Sequence, residues 1–137
     1  MTRTEKPLLE QTAQSASSAW NLLVKQHNGM ACVRLDQVEY AAYKERVLTF
    51  VLCDGRTVRT RSLKEPFSKI VEIAFLDARF VRPHESYVVN MEYINAITAS
   101  DFEMKDGTRV PISKRVYRRV REEFIQYMTG GCDVRII

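Results

Sequence analysis

The sequence predicts a mostly β protein of the α+β class, with antiparallel β-sheets, two short packed helices and a helical N-terminal arm. Three observations predict this fold. The apolar spacing changes from a helical to an extended period near Met30. Two Asp-Gly hairpins follow, and each leads through a basic strand to a serine suited to begin a helix. An α/β sandwich with parallel strands is disfavoured, because few helices separate the strands.

The N-terminal part, residues 1–28, is predicted to be a helical arm or linker, and residues 29–137 to be the domain. Pro7 suits the first turn of a helix, and Asn28-Gly29 suits its end. The apolar residues between them recur at helical spacing: Leu9, Ala13, Ala16, Trp20, Leu23 and Val24. Two interpretations stay open. The arm packs on its own domain, or it serves as a dimer helix or the tail of a receiver-like module.

The central part of the chain contains segments that alternate between apolar and polar residues, as short strands do, and one strongly β-prone segment, Val47 to Leu52. We expect strands over residues 31–35, 38–41, 47–52 and 56–61. Residues 43–46 are interpreted as a charged loop. Asp54-Gly55 predicts a tight hairpin turn in which both residues have positive φ.

The first helix is predicted to begin at a capping box, Ser62 to Glu65, and to end near Ala74. Pro66 would then fall in the first turn, where proline is tolerated. The residues that would share the apolar face are Leu63, Phe67, Ile70, Val71 and Ala74.

The second half of the domain is organised around a buried-type strand over residues 87–89. We expect a turn carrying Arg82, His84 and Glu85 to precede this strand. Further strands are predicted over residues 93–99, 102–105 and 108–112, with Asp106-Gly107 as a second hairpin turn. Ser113 is predicted to cap a final helix that ends near Met128.

The final helix carries its positive charge at the wrong end for the helix dipole. Its cations are Lys114, Arg115, Arg118, Arg119 and Arg121. Each cation near a helix N-terminus destabilises the helix by about 0.3–1 kcal/mol. This cost indicates that the charge has a function, such as binding phosphate. A solvated basic face is the alternative. An apolar stripe of Val116, Val120 and Phe124 would dock the other side on a sheet.

Composition narrows the possible functions. The net charge of +4 at pH 7 is consistent with a polyanionic partner. Three widely separated cysteines and two histidines disfavour a zinc site or a disulfide framework, so we expect no cofactor and a reducing, cytoplasmic setting. The N-terminus does not resemble a signal peptide, and no apolar run is long enough for a membrane span. No catalytic motif is visible, and we expect no enzymatic activity.

Two motifs resemble the LytTR-type DNA-binding domain, an output module of bacterial response regulators. The first is F-x-R-x-H-x-S-Y-x-V-N over residues 80–90, and the second is the strand, P-I-S and basic helix over residues 109–117. The resemblance runs from about Met30 to Met128. It implies a transcription regulator that binds double-stranded DNA at promoter repeats as a pair of protomers. It also implies loops that enter major grooves, and a sensor kinase pathway or a regulatory partner protein.

The resemblance also implies DNA contacts at particular positions. They fall on Lys44, Arg46, His84, Glu85, Ser113, Lys114, Arg115 and Arg118. Arg115 is expected at a base edge, where a guanidinium can bond both O6 and N7 of guanine. Lys44, Arg46 and Lys114 are expected at phosphates, although a charged hairpin tip can also be merely solvated.

Two residues of the first motif leave alternatives open. His84 either donates to a phosphate or bonds to the backbone of its own turn. Glu85 stands where family members often have Asn, Arg or Lys; it would either accept from cytosine N4 or point away from DNA. The alternative to a DNA-binding regulator is a protein-interaction or dimerisation module of the same fold with weak DNA binding.

Overall fold

A computed structural model describes residues 21–130 and 135–137 of the chain. Within this part, all strand pairings are antiparallel. The strands are β1 (Asn21–Gln26), β2 (Gly29–Arg34), β3 (Val38–Lys44), β4 (Val47–Leu52), β5 (Thr57–Arg59), β6 (Phe80–His84), β7 (Tyr87–Asn90), β8 (Ile94–Ile97), β9 (Asp101–Met104) and β10 (Arg109–Pro111). The helices are α1 (Phe67–Ala74) and α2 (Tyr117–Gly130), and short 3-10 turns occupy Leu35–Gln37, Met91–Tyr93 and Lys114–Val116. No helix in this part is long and apolar enough to cross a lipid bilayer.

The strands form a five-stranded sheet and two smaller sheets within the described residues. The five-stranded sheet has the order β5-β4-β3-β7-β6, the three-stranded sheet has the order β10-β9-β8, and β1 pairs with β2. The mostly β fold with two packed helices is therefore confirmed. The predicted hairpins around residues 53–56 and 105–108 join β4 to β5 and β9 to β10.

The five-stranded sheet lies between two hydrophobic cores. The first core contains Val24, Val33, Leu35, Val38, Ala41, Leu48, Phe50, Leu52, Val58, Phe67, Phe75, Phe80 and Val88. The second contains Tyr40, Val81, Val89, Met91, Phe102, Met104, Val110, Ile112 and Val120. Neighbouring residues of one strand, such as Val88 and Val89 of β7, enter opposite cores because side chains alternate along a strand. The sheet is therefore covered on both faces.

The predicted N-terminal helix is wrong for residues 21–28. Asn21–Gln26 is strand β1, and Leu22 pairs with Val33 and Val24 with Ala31 of β2. Val24 is buried, whereas the residue before it, Leu23, is 70% exposed. Burial therefore alternates with a period of two, as in a strand, rather than with a helical period. The rest of the predicted arm, including Trp20, lies outside the described residues.

The start of the first helix also differs from its prediction. Helix α1 begins at Phe67 with Pro66 as its N-cap, and the Ser62–Glu65 capping box does not form. A residue before proline is disfavoured in helical conformation, so Glu65 cannot lie inside a helix easily. Instead, the Tyr43 hydroxyl donates to the Glu65 carbonyl at 3.0 Å, and the Tyr43 ring stacks on Phe67.

The two Asp-Gly turns are hairpins of a different type from the one predicted. Only the glycines, Gly55 and Gly107, have positive φ (92° each), whereas Asp54 and Asp106 do not. This matches three-residue hairpin loops in which only the last residue is left-handed. The two-residue turn with positive φ at both positions joins β3 to β4, and it consists of Glu45 (φ 50°) and Arg46 (φ 68°).

A buried carboxyl group links the five-stranded sheet to the β9–β10 turn. Glu39 of β3 is only 4% exposed, and one of its carboxylate oxygens has no hydrogen-bond partner among the described residues. Burial, and then the negative charge of Asp106, raise the pKa of Glu39 above its ordinary value. The ionised form therefore destabilises the fold at neutral pH.

Glu39→Gln is expected to raise the free energy of unfolding at pH 7, because it removes this buried charge and places an amide beside Asp106. The parent's free energy of unfolding should equal that of the variant below the unfolded-state pKa of Glu39, about 4.3. It should fall below that of the variant as pH rises through the higher folded-state pKa. Denaturant unfolding at pH 4 and pH 7 measures it. Glu72→Gln on the exposed face of α1 is the matched control. A Glu39→Gln protein less stable than the parent at pH 7 would contradict the prediction.

Candidate nucleic-acid interface

Three segments that carry predicted contact residues meet at one end of the five-stranded sheet. The Tyr43 amide donates to the Ser86 carbonyl at 2.8 Å, which joins the β3–β4 turn to the β6–β7 turn. The Ser113 amide donates to the Pro83 carbonyl at 2.8 Å, which joins the start of the last helical segment to β6. We call this end, with Lys44, Arg46, Arg82, His84, Glu85, Ser113, Lys114, Arg115, Arg118 and Arg119, the basic end.

A cleft of about 220 Å³ lies at the basic end, between the end of β6 with its turn and the segment that leads into α2. It is lined by Arg82, His84, Glu85, Ser113, Arg115, Val116 and Arg119. Four of the eight predicted residues therefore share one cleft. The other four, Lys44, Arg46, Lys114 and Arg118, are exposed and do not line it.

His84 is held by the backbone of its own turn. Its Nδ1 accepts a hydrogen bond from the Ser86 amide at 3.1 Å, and its ring packs edge-on against Tyr87 at 5.7 Å between centroids. With Nδ1 acting as acceptor, a neutral imidazole carries its proton on Nε2. The backbone-bonded alternative is thus what the structure shows, and it leaves Nε2 as a donor.

Arg82 belongs to the cleft although sequence reasoning left it out of the contact residues. It was expected in a turn, but it lies on strand β6 with His84, and only Glu85 and Ser86 form the turn. Its guanidinium lies 5.0 Å from the centre of the Phe67 ring and donates to the Glu85 carbonyl at 3.1 Å. The period of two along a strand could not have predicted this position, because a β-bulge between Val81 and His84 shifts the register of β6 against β7.

The β3–β4 turn is shorter and more constrained than the predicted charged loop. Tyr43 and Lys44 end strand β3, and only Glu45 and Arg46 lie in the turn. The Leu63 amide donates to the Arg46 carbonyl at 2.7 Å, and Arg46 Nε donates to the Leu63 carbonyl at 3.2 Å. The exposed tip is thus fixed on both its backbone and its side chain.

Ser113 does not cap the last helix through its side chain, contrary to prediction. A 3-10 turn, Lys114–Val116, intervenes before α2, and the Ser113 hydroxyl makes no capping bond. The Ser113 amide is used by Pro83, and the Val116 amide bonds to the Ser113 carbonyl at 3.0 Å. Fewer amides are therefore open to an anion here than at a plain helix N-terminus.

Helix α2 otherwise follows its prediction. Val120 is fully buried in the second core, and Val116 and Phe124 pack beside it. The opposite side carries exposed Arg118, Arg119 and Arg121. Arg119 also bonds Glu123 at 2.7 Å, an i,i+4 pair that partly neutralises it.

The two ends of the five-stranded sheet differ in how their charged side chains are paired. At the far end, three arginines each bond an aspartate two residues away: Arg34 to Asp36, Arg56 to Asp54 and Arg79 to Asp77. Hydrogen bonds from these arginines hold the pKa of Asp54 and of Asp77 below the ordinary value. At the basic end, Arg119 is the one cation found in an ion pair among the described residues.

Comparison with known proteins agrees with the two motifs. The model of the LytTr DNA-binding domain matches residues 28–125. The "Sensory transduction protein LytT" of Bacillus subtilis (strain 168) is 33% identical over 58 residues, which are 39% of this chain and 24% of that protein. The chain thus spans about a quarter of that relative. A solved LytTr DNA-binding domain from Bacillus cereus superposes with a TM-score of 0.61 at 24% identity, covering 77% of this chain and 96% of that one.

The solved domain shares the fold, and the family model covers most of the chain, so the resemblance drawn from the two motifs is confirmed. This chain belongs to the LytTr DNA-binding domain family.

Proposed function

We propose that this chain is a sequence-selective DNA-binding regulator of transcription that contacts DNA through the basic end. The observation that carries the proposal is the charge pairing. Arginines at the far end are neutralised by aspartates, whereas Lys44, Arg46, Lys114, Arg115 and Arg118 form no ion pair with any described residue. Exposed cations without carboxylate partners are suited to a ligand that brings its own negative charge.

Duplex DNA fits this end in size as well as in charge. The β3–β4 turn, the β6–β7 turn and the segment from Ser113 to Arg115 lie side by side. Adjacent strands are about 4.8 Å apart, so turns carried by β3, β7 and β6 present side chains over a width similar to the roughly 12 Å major groove. Turns on a sheet can thus enter a groove without a recognition helix.

The residues of the basic end are assigned different roles. Arg115 lines the cleft and is assigned to a guanine edge, because its planar guanidinium can bond O6 and N7 together. Lys44, Arg46, Lys114 and Arg118 surround the cleft and are assigned to phosphates. His84 would donate from Nε2, and Ser113 would add a hydroxyl.

Glu85 is assigned to a cytosine. It is exposed and shares the cleft with three arginines, whose positive charges reduce the repulsion between its carboxylate and the DNA phosphates. A carboxylate is an acceptor, and cytosine N4 is the donor that the major groove of a G·C pair presents. Glu85 and Arg115 together therefore favour a G·C-containing target.

The family relationship supports a signalling context for this binding. The relative LytT is named a sensory transduction protein, and this chain spans about a quarter of its length. We place this chain as the output module of a bacterial two-component pathway, acting as a homodimer on promoter repeats, with the signal supplied by a sensor kinase or another partner protein.

The alternative function is an interaction or dimerisation module, and one surface favours it. Leu23, Ile73 and Leu76 are 70–81% exposed. Leu23 and Ile73 also line a groove of about 680 Å³ between β1 and α1. Exposed apolar side chains grouped in this way are typical of protein contacts.

Salt dependence separates the two functions. After selection of target sites from random duplexes, the logarithm of the binding constant should fall linearly with the logarithm of salt concentration, by about 0.9 for each phosphate contacted. Fluorescence anisotropy from 50 to 300 mM KCl measures this slope. A chain without measurable affinity for any duplex at low salt would instead be an interaction module.

Arg115→Ala is expected to weaken binding to the selected site by about 1–3 kcal/mol and to relax the preference at one base pair, because a bidentate base contact is lost. Binding titrations against a set of single-base-pair variants measure both effects. Arg56→Ala, at the far end of the sheet, is the matched control and should bind as the parent does. If Arg115→Ala keeps both affinity and sequence preference, the base-edge assignment is wrong.

Lys114→Ala is expected to weaken binding to all sequences by a similar factor and to reduce the salt slope by about 0.9, because one phosphate contact is lost. The comparison is with Lys105→Ala in the β9–β10 turn, which lies at the opposite end of β10 from Lys114. An unchanged slope for Lys114→Ala would remove this residue from the DNA contact.

A further inference from the structure

A second basic surface lies beside the β3–β4 turn, away from the cleft of the basic end. It borders an open depression of about 680 Å³ between the β1–β2 turn and the segment that follows β5. His27, Asn28, Arg59, Thr60, Arg61 and Ser62 are among its lining residues, and none of the lining residues carries a carboxylate. We call this the flanking surface.

The flanking surface is built by hydrogen bonds between two distant parts of the chain. The Gln26 side-chain amide donates to the Arg59 carbonyl at 3.0 Å. The Arg61 amide donates to the Lys25 carbonyl at 3.3 Å. Because these bonds use backbone groups of Arg59 and Arg61, both guanidinium groups stay available, and neither enters an ion pair with any described residue.

The flanking surface lies at the same end of the five-stranded sheet as the basic end. Arg59 pairs with Thr49, and the Thr60 amide donates to the Leu48 carbonyl at 2.9 Å, so the chain leaves β5 beside the start of β4. Three residues after Thr60, Leu63 is bonded to Arg46 of the β3–β4 turn. Arg59 and Arg61 therefore extend the row of strand ends that carries the proposed DNA contacts, whereas Arg56 lies at the other end of β5.

We propose that the flanking surface binds phosphates of the same DNA duplex, outside the base pairs that the basic end reads. This inference rests on the proposed function. Four interstrand steps separate β5 from β6, which is roughly 19 Å at about 4.8 Å each. At about 3.4 Å per base pair, that distance corresponds to about six base pairs.

The contact is assigned to phosphates rather than bases. The surface lies in an open depression rather than on a projecting turn, and its charged groups are arginines with neutral hydroxyl and amide neighbours. Such groups bond phosphate oxygens of any sequence, so the flanking surface adds affinity and fixes orientation without adding sequence choice.

The test uses the double variant Arg59→Gln/Arg61→Gln and duplexes that carry a single repeat of the selected site, bound by one protomer, with about ten extra base pairs on both sides, on the left only or on the right only. On the long duplex, the variant should bind more weakly than the parent, with a salt slope lower by about 1.8, for two lost phosphate contacts. With the flank removed on one particular side, parent and variant should bind equally. Removal of the other flank should leave the difference intact.

Two further variants control for charge and position. Arg56→Gln makes the same chemical change at the far end of β5 and should match the parent on every duplex. Arg59→Lys/Arg61→Lys keeps the charges and should retain the parent's slope. If this lysine variant loses the slope as the glutamine variant does, the effect is structural and the inference is wrong.

The possible failures are distinguishable. A parent protein without salt-dependent DNA binding overturns the proposed function, and the inference with it. A parent that binds, with a double variant of equal affinity and slope on the long duplex, overturns the flanking contact alone. A double variant that is weakened equally on all duplexes would place Arg59 and Arg61 inside the recognised site, which also overturns the flanking assignment.

Discussion

Burial of both faces of the five-stranded sheet is the constraint on which the rest of the structure depends. Val88 and Val89 of β7 enter opposite cores, and so do Phe80 and Val81 of β6. Neither face of these strands can then carry a binding surface, because each is already covered by other elements. The sites open to polar and charged side chains are the strand ends, and the two ends of the sheet differ sharply in how their charges are paired.

The far end shows what charged residues do where they serve the fold. The Asp77–Arg79 pair is largely buried, with side chains 11–13% exposed, and bonds at 2.7 Å in the loop before β6. A pair removed from water needs close geometry to offset its desolvation, and this one has it. Apart from the half-buried Arg82, the cations of the basic end are exposed and stay hydrated, so leaving them unpaired costs the fold little. The Asp77–Arg79 pairing thus follows from burial, whereas the Arg34–Asp36 and Arg56–Asp54 pairs are more exposed, with side chains 31–66% exposed.

Sequence reasoning succeeded where the signal was local and failed where a distant partner decided the outcome. Strand β4 was predicted at Val47–Leu52 because its residue types strongly favour strands. Strand β1 was mistaken for a helix because Leu23 and Val24 also fit a helical spacing, and only pairing with β2 resolves the ambiguity. The capping box at Ser62 is a sound local pattern, but Pro66 and the bonds from Tyr43 and Arg46 oppose it.

In the candidate site, too, some features could be predicted from the sequence and others depended on contacts between distant residues. The family resemblance implied that His84, Glu85, Ser113 and Arg115 would serve one surface, and they line one cleft. Their individual conformations depended on contacts that no spacing encodes. The Ser113 amide is bonded by Pro83, and Arg82 is positioned by the ring of Phe67, which is 15 residues earlier in the chain. Those contacts decide which polar groups remain available to a ligand.

The β3–β4 turn shows that the site is rigid as well as charged. Glu45 and Arg46 both have left-handed backbone conformations, which cost about 1–2 kcal/mol for each residue other than glycine. Such strain persists where surrounding contacts determine the conformation, and here two hydrogen bonds to Leu63 do so. A turn fixed in this way cannot adjust its distance from the β6–β7 turn, to which Tyr43 is also bonded. If this fixed spacing differs from that of a straight groove, the DNA rather than the protein must deform, and sequences that bend easily would then be preferred.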